Sequence, residues 1–324
     1  MIALHNYHDV RGAFPAMRAY LHNSTDGDRL PPMVVLSPFY ERQDVLDKVI
    51  SDRDKVAAGS SPWSSVTTLA QYGNGWRSFA DQKVNVLCCP SDPSYGTYSW
   101  EGNYSRCNIV HSVGDVVQRN EYYAASATTA VYLGAQKRGA FAPFLWKDLA
   151  AFTDGSSNTV MISETVSSTS RGDDNTVASG IATNASTINW SKPSDCLKKR
   201  SSTDPKLLSC GETGSGCDHV ASFRGARIYL GLIQCVGFCA ILPPNSPNCS
   251  PNTEGAGYSI VSTSSMHSGG VNTGFGDGSV HFVSDTINTG NLDSNSNGDV
   301  NVGSSPFGIW GAYGSVNGGE SVAL

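Results

Sequence analysis

Nine residues lie between His267 and the dipeptide Asp277-Gly278 in MHSGGVNTGFGDGSVHFVSD, the stretch from Met266 to Asp285. An imidazole beside a carboxylate is two thirds of a relay for activating a nucleophile, which would also need a serine or cysteine at the ring. No such residue stands in a special context nearby. The chain also lacks a G-x-S-x-G elbow and an H-E-x-x-H helix. The role expected of the pair is therefore structural: a hydrogen bond from His267 to Asp277 that closes a hairpin. The sequence is read as that of a non-enzyme, with no catalytic residue.

One further constellation has ligand spacing. Asp293, Asn295 and Asn297 occupy positions 1, 3 and 5 of an EF-type loop, Gly298 position 6 and Asp299 position 7. Position 12 holds Ser304 in place of the bidentate glutamate, so the loop lacks its strongest carboxylate. Calcium is the one cofactor the sequence nominates, with Asp293, Asn295, Asn297 and Asp299 as ligands, against a plain Asn/Gly/Ser loop. His5 and His8 share a helix face but have no third ligand, and read as part of a polar surface.

Nine cysteines suit an oxidising compartment. Cys210, Cys217 and His219 lie close together, yet no paired C-x2-C knuckles accompany them, so disulfides are favoured over zinc. Cys196, Cys210, Cys217, Cys235, Cys239 and Cys249 are the disulfide candidates, most of them expected to be paired. The odd count leaves at least one thiol unpaired or used between chains. Vicinal Cys88 and Cys89 bond each other only with strain, so different fates are expected for them.

The elements that position these residues are short. Asp277-Gly278 reads as a two-residue type I′ loop, which sets Phe275 opposite Val280 and Thr273 opposite Phe282 on an apolar face. Met1, Leu4, Tyr7 and Val10 have helical spacing, with Gly12 placed to end the helix. With no capping residue before it, this helix reads as the last turns of a longer one. Ser37-Pro38 predicts a second helix to about Asp52. Strands are expected at Val84–Leu87, Ile109–Val110, Val116–Val117, Ala130–Leu133 and Thr159–Ser163. Ile228–Leu242 reads as buried strand, and a closing strand pair is expected around Ile309–Gly311 and Asn317-Gly318.

The chain of 324 residues reads as a single α+β domain, residues 1–324. Residues 165–220, polar and with three cysteines, form an expected disulfide-stapled insertion, and 266–324 a C-terminal hairpin region. Charged residues are 15%, glycines number 34 and the net charge is −6, the balance of a loop-rich exported protein. That charge, with no basic run, argues against a nucleic-acid partner. N-x-[ST] sequons begin at Asn23, Asn103, Asn184, Asn189 and Asn248, which makes a glycoprotein conceivable.

Further segments stand in a set order: ALHNYHDVRGAFP (Ala3 to Pro15), CPSDP (Cys89 to Pro93), FTDGSSNTVMISE (Phe152 to Glu164), RGAR (Arg224 to Arg227), LPPNSPNC (Leu242 to Cys249) and FGIWGAYGSVNGGE (Phe307 to Glu320). With the C-terminal His-x9-Asp-Gly spacing, they resemble a large bacterial family of prepilin-like secreted proteins. The resemblance implies a pilin-like fold, an N-terminal helix on an antiparallel sheet with long loop insertions. It implies a hydrophobic prepilin segment ahead of that helix, removed on processing. It also implies a structural subunit of an extracellular filament or secretion-associated pseudopilus, exported to the cell surface. The expected partners are other copies of the chain or related pilin-like subunits. The alternative reading is a secreted module that binds glycans or other surface polymers through a platform of Trp63, Trp76, Trp100 and the tyrosines.

Overall fold

The computed structural model describes residues 1–19, 30–53, 83–94, 106–120, 138–168, 175–183, 188–210, 212, 217, 219–221, 224–226, 231–251, 257–295 and 303–320. Helix α1, Ile2–Arg11, ends where its sequence says it should. Gly12 takes φ 76°, the left-handed conformation an L side chain resists, and its N–H returns to the carbonyl of His8. Leu4 is buried, and Met1 and Tyr7 lean on the core. Val10, expected on the same stripe, faces out.

After a single helical turn, α2 (Pro32–Val35), the Ser37-Pro38 signal yields something shorter than the helix expected of it. The chain makes a 3-10 turn, Ser37–Tyr40, and breaks at Glu41, where φ is 66°. It then restarts as α3, Gln43–Arg53. Val84–Leu87 is likewise a 3-10 turn over Asn85–Leu87 rather than a strand. Ala130–Leu133 lies outside the described residues.

Five strands form the main sheet: β1 (Ile109–Ser112), β3 (Val160–Glu164), β6 (Gly237–Phe238), β9 (Gly270–Phe275) and β10 (Val280–Ser284). Their order is β10-β9-β3-β1-β6. Its first three pairings are antiparallel, but β1 and β6 run parallel, so the sheet is mixed rather than antiparallel throughout. Two smaller sheets accompany it. β2 (Gln118–Asn120) pairs with β8 (Gly257–Ser259), and β4 (Ile181–Thr183) lies between β5 (His219–Ala221) and β7 (Asn248–Cys249). The polar 165–220 region thus carries order of its own, including the helical turn α4, Ser194–Leu197. The apolar run to Leu242 is buried from Gly231 onward, but it makes the turn α5 (Ile233–Val236) before the two residues of β6.

The hairpin β9–β10 shows what a slip of one residue does. Val280 lies opposite Gly274, and Phe282 opposite Asn272. The loop has three residues, Gly276-Asp277-Gly278, with the N–H of Gly278 bonded to the carbonyl of Phe275. Gly278 takes φ 91°. This is the turn-plus-bulge hairpin rather than the type I′ loop, and the odd loop length moves every partner to the other face. Val271, Phe275 and Val283 turn into the core, while Val280 and Phe282 stand exposed.

The inward face is covered by helix α6, Gly308–Gly314, where a strand pair was expected. Gly314 approaches Ala240, just past β6, where a Cβ would come within 2.5 Å, and Trp310 stacks on Phe238 with ring centres 6.1 Å apart. Tyr313 meets Phe275 edge-on at 5.4 Å. Burial of aromatics of this size dominates the local energy; truncating one to alanine costs about 3–5 kcal/mol. Arg224, fully buried, ties α5, β6 and the approach to β9 together by donating to the carbonyls of Ile233, Gly237 and Ser262.

Candidate functional site

Three separate stretches meet at the end of β3. Glu164 is the last residue of that strand, and the neighbouring β9 fixes its carboxylate: Asn272 donates its backbone N–H to Oε2 at 2.8 Å and its side-chain amide to Oε1 at 3.1 Å. His267, in the corner before β9, places Nε2 3.3 Å from the same Oε1. The corner is itself held. The N–H of His267 bonds to Ser265 Oγ, which in turn donates to the carbonyl of Gly270.

The third stretch is the turn of Cys89, Ser91 and Asp92. Asp92 is buried, and its carboxylate accepts the N–H of Ser94 at 2.7 Å, the N–H of Ser167 at 2.8 Å and the amide of Asn108. Asn108 closes the circuit by accepting the N–H of Cys89 at 2.7 Å and donating to the carbonyl of Thr165 at 2.8 Å. A buried charge with three donors is satisfied in place, so the turn is rigid. The result is a small cavity of about 20 Å³ bordered by Cys89, Asp92, Asn108, Glu164 and His267. That is room for one water-sized group.

Cys88 and Cys89 are both free thiols, so the different fates expected of them do not appear in their bonding; their surroundings differ. Cys88 turns inward, its thiol against the carbonyls of Arg106 at 3.1 Å and Val84 at 3.5 Å, and burial pushes it above the usual thiol range. Cys89 is half-buried and opens on the cavity.

The His267–Asp277 bond is absent. β9 separates the two residues, about 17 Å of strand at ~3.4 Å per step. Asp277 instead caps the hairpin loop, accepting the N–H of Ser279 at 2.9 Å and its hydroxyl at 2.6 Å, and the hydroxyl bond holds its carboxyl below the usual range. The sequence reading also missed the residues that share the cavity with His267. Cys89 and Glu164 stood in plain view in two of the ordered segments, and Asp92 reads as a turn former. The available signal was that segments far apart in the chain each carry one chemically active side chain.

A second cavity, about 600 Å³, opens on the other side of Glu164. It lies between the start of α1, the Ser37–Tyr40 turn and the outer face of the sheet, with Leu4, Leu36, Tyr40, Leu87, Ile162 and Val280 among its walls. Met1 lies on the backbone of Gly274, where a Cβ would come within 2.8 Å of its sulfur. Ile2, Val86, Val280 and Phe282 are exposed at 79%, 67%, 61% and 51%. His111, buried on the floor, donates Nδ1–H to the carbonyl of Val236 at 3.2 Å, and burial lowers its ring to about 4.

Of the six disulfide candidates, four are bonded: Cys196 to Cys249 and Cys210 to Cys217. The second bond removes the zinc reading of Cys210 and Cys217. Cys235 and Cys239 are buried thiols in the segment around α5 and β6, which core packing orders without a cross-link. His5 and His8 pack on Phe14 at 5.8 and 4.8 Å. Asn248 is 1% exposed, bonded to the carbonyls of Val177 and Gly180, and so is no glycan acceptor in the folded chain. Asn189 lies on the surface, while Asn23, Asn103 and Asn184 lie outside the described residues. In the calcium candidate, the Asp293 carboxylate accepts the Ser194 hydroxyl and Asn295 is described, whereas Asn297 and Asp299 lie outside the described residues. Trp63, Trp76 and Trp100 also lie outside them. Among the described residues, no group of three or more His, Cys, Asp or Glu could hold a metal ion. No helix among them is long and apolar enough to cross a membrane. The two disulfides fit an oxidising, extracellular environment.

No curated protein and no solved structure matches the chain. Residues 1–290 match the sequence profile of SBP_bac_10, a bacterial family described as a protein of unknown function (DUF1559). With the match covering nearly the whole of this α+β chain, from α1 through the Cys89–Glu164–His267 cavity to β10, the protein belongs to that family.

Proposed function

We propose that this protein is an exported, pilin-like structural subunit that self-associates at the cell surface, in a filament or a secretion-associated pseudopilus. The observation that carries the reading is the 600 Å³ apolar groove beside α1, rimmed by exposed Ile2, Val86 and Val280, with exposed Phe282 two residues further along β10. Large apolar side chains clustered at a surface cost solvation energy unless something covers them, and such a patch marks an interaction face. A helix of another copy, presenting residues such as Ile2 and Val10, has the width and apolarity to fill it. The low charge content and the two disulfides suit a subunit that works outside the cell.

Sedimentation velocity and negative-stain microscopy test this, on the native chain and on a Val280→Asp, Phe282→Asp variant. Both positions are exposed in the single chain, so folding should be unaffected. The native chain should assemble with rising concentration, and the variant should assemble at least tenfold more weakly. Native protein that stays monomeric at high concentration, or a variant that assembles equally well, defeats the proposal. Saturable binding of a surface polysaccharide by such a monomer would install the glycan-binding reading in its place.

A further inference from the structure

We infer that Cys89 is an exchange-active thiol, with His267 as its base and Glu164 as the group that orients the ring. The inference is independent of the self-association reading. Cys89 and His267 border one cavity of about 20 Å³. Nε2 of His267 is engaged by Glu164 at 3.3 Å, and Glu164 is locked by two bonds from Asn272. That leaves Nδ1 without a partner among the described residues, and the Cys89 thiol likewise. A nucleophile, a base with one nitrogen available, and a carboxylate on the other nitrogen make up a thiol-activating relay.

The surroundings select the chemistry. Acyl transfer needs N–H donors aimed at an oxyanion. Here the Cys89 N–H is already given to Asn108, and the carboxylates of Asp92 and Glu164 border the cavity, which opposes a second negative oxygen. Exchange with a disulfide needs no such hole, and a cavity of this size admits one sulfur at a time. Cys89 Sγ attacks one sulfur of an external disulfide while its proton passes to His267 Nδ1. The Sγ–S bond forms, the original S–S bond breaks, and the departing thiolate takes the proton back from the imidazolium. A disulfide and a thiol become a mixed disulfide and a thiol, with no net oxidant required. The co-reactant is a small or peptide disulfide of the oxidising compartment that the protein's own disulfides fit.

The test is the reaction of the native full chain with a chromogenic aryl disulfide at pH 7, followed by absorbance, with the adduct located by peptide mass. One thiol per chain should react in a fast phase, the adduct should map to Cys89, and Cys89→Ser should abolish the phase. His267→Ala should slow it by about tenfold or more, in the lower range of general-base effects, and should remove its solvent deuterium isotope effect. Glu164→Gln, which keeps an acceptor for Asn272, should slow it less and serves if the histidine variant misfolds. An adduct on another cysteine, or a Cys89 rate and isotope effect unchanged in both variants, overturns the inference.

Discussion

Replacing Cys196 and Cys249 together by alanine removes the cross-link between α4 and β7. The bridged positions lie 53 apart in sequence, and loop-closure entropy for that length gives about 4 kcal/mol. The same operation on Cys210 and Cys217, only 7 apart, gives about 2 kcal/mol. Two further terms widen the gap. Cys196 and Cys249 are fully buried, so the alanines leave unfilled space, whereas Cys210 is only partly buried. Cys249 also pairs with Ala182 across the parallel β7–β4 contact, and loss of the bond frees that two-residue strand. Guanidinium unfolding of the native chain and both double variants, with linear extrapolation to water, measures the losses. Hydrogen exchange should place the larger one at Ile181–Thr183. Equal losses, or a larger one for the short loop, would refute the claim that the long bridge fastens the 165–220 region to the body.

Two other perturbations follow from the same geometry. His111 is fully buried and lowered to about 4, while the unfolded chain takes up that proton near pH 6.5. Between those values the unfolded state binds more protons, so stability falls as pH falls, by up to about 1.4 kcal/mol per unit. Against His111→Gln, unfolding free energies measured from pH 7 to pH 4 should show a shallower decline in the variant; parallel curves would contradict it. Gly278, at φ 91°, would set a Cβ in ordinary contact with the His5 ring at 3.7 Å, so Gly278→Ala meets backbone strain without a clash and should cost about 1–2 kcal/mol. Gly278→Asn should cost less, and thermal melts that rank the two variants the other way would count against the bulged loop.

The sequence told most where one local rule dominates. Gly12 stopped α1 because a helix that must end is best ended by a residue free to adopt positive φ. Thr159–Ser163 and Ile109–Val110 read as strands because short apolar runs between turn residues have few alternatives. It misled where two rules competed. Asp-Gly favours both a two-residue and a three-residue loop, and local preference cannot say which; the choice came from tertiary contacts that need Phe275 and Val271 inside with Val283. Ile309-Trp310-Gly311 looked like strand because its residues are bulky and apolar. The sheet face beside Phe238 and Phe275 had no cover, and a short helix brings Trp310 and Tyr313 down on it together.

The site was hidden for a different reason. His267 drew attention because Asp277 stood a fixed distance away, yet sequence spacing measures contour along the chain, and an extended strand turns nine residues into separation rather than contact. The residues that reach His267 arrive from strand neighbours: β9 is paired with β3, so the corner before β9 falls beside the end of β3, where Glu164 stands. Cys89 is brought to the same cavity by a chain of side-chain bonds, Asn108 holding its N–H on one side and Asp92 on the other. None of this follows from local propensity. It follows from the antiparallel register of β3 and β9, with Thr273 opposite Ser163. That register sets Asn272, which holds the Glu164 carboxylate, beside the end of β3, where His267 can meet it. A chemical reading of such a chain therefore has to pair strands first and look for partners across the pairing, since the relay is assembled sideways through the sheet.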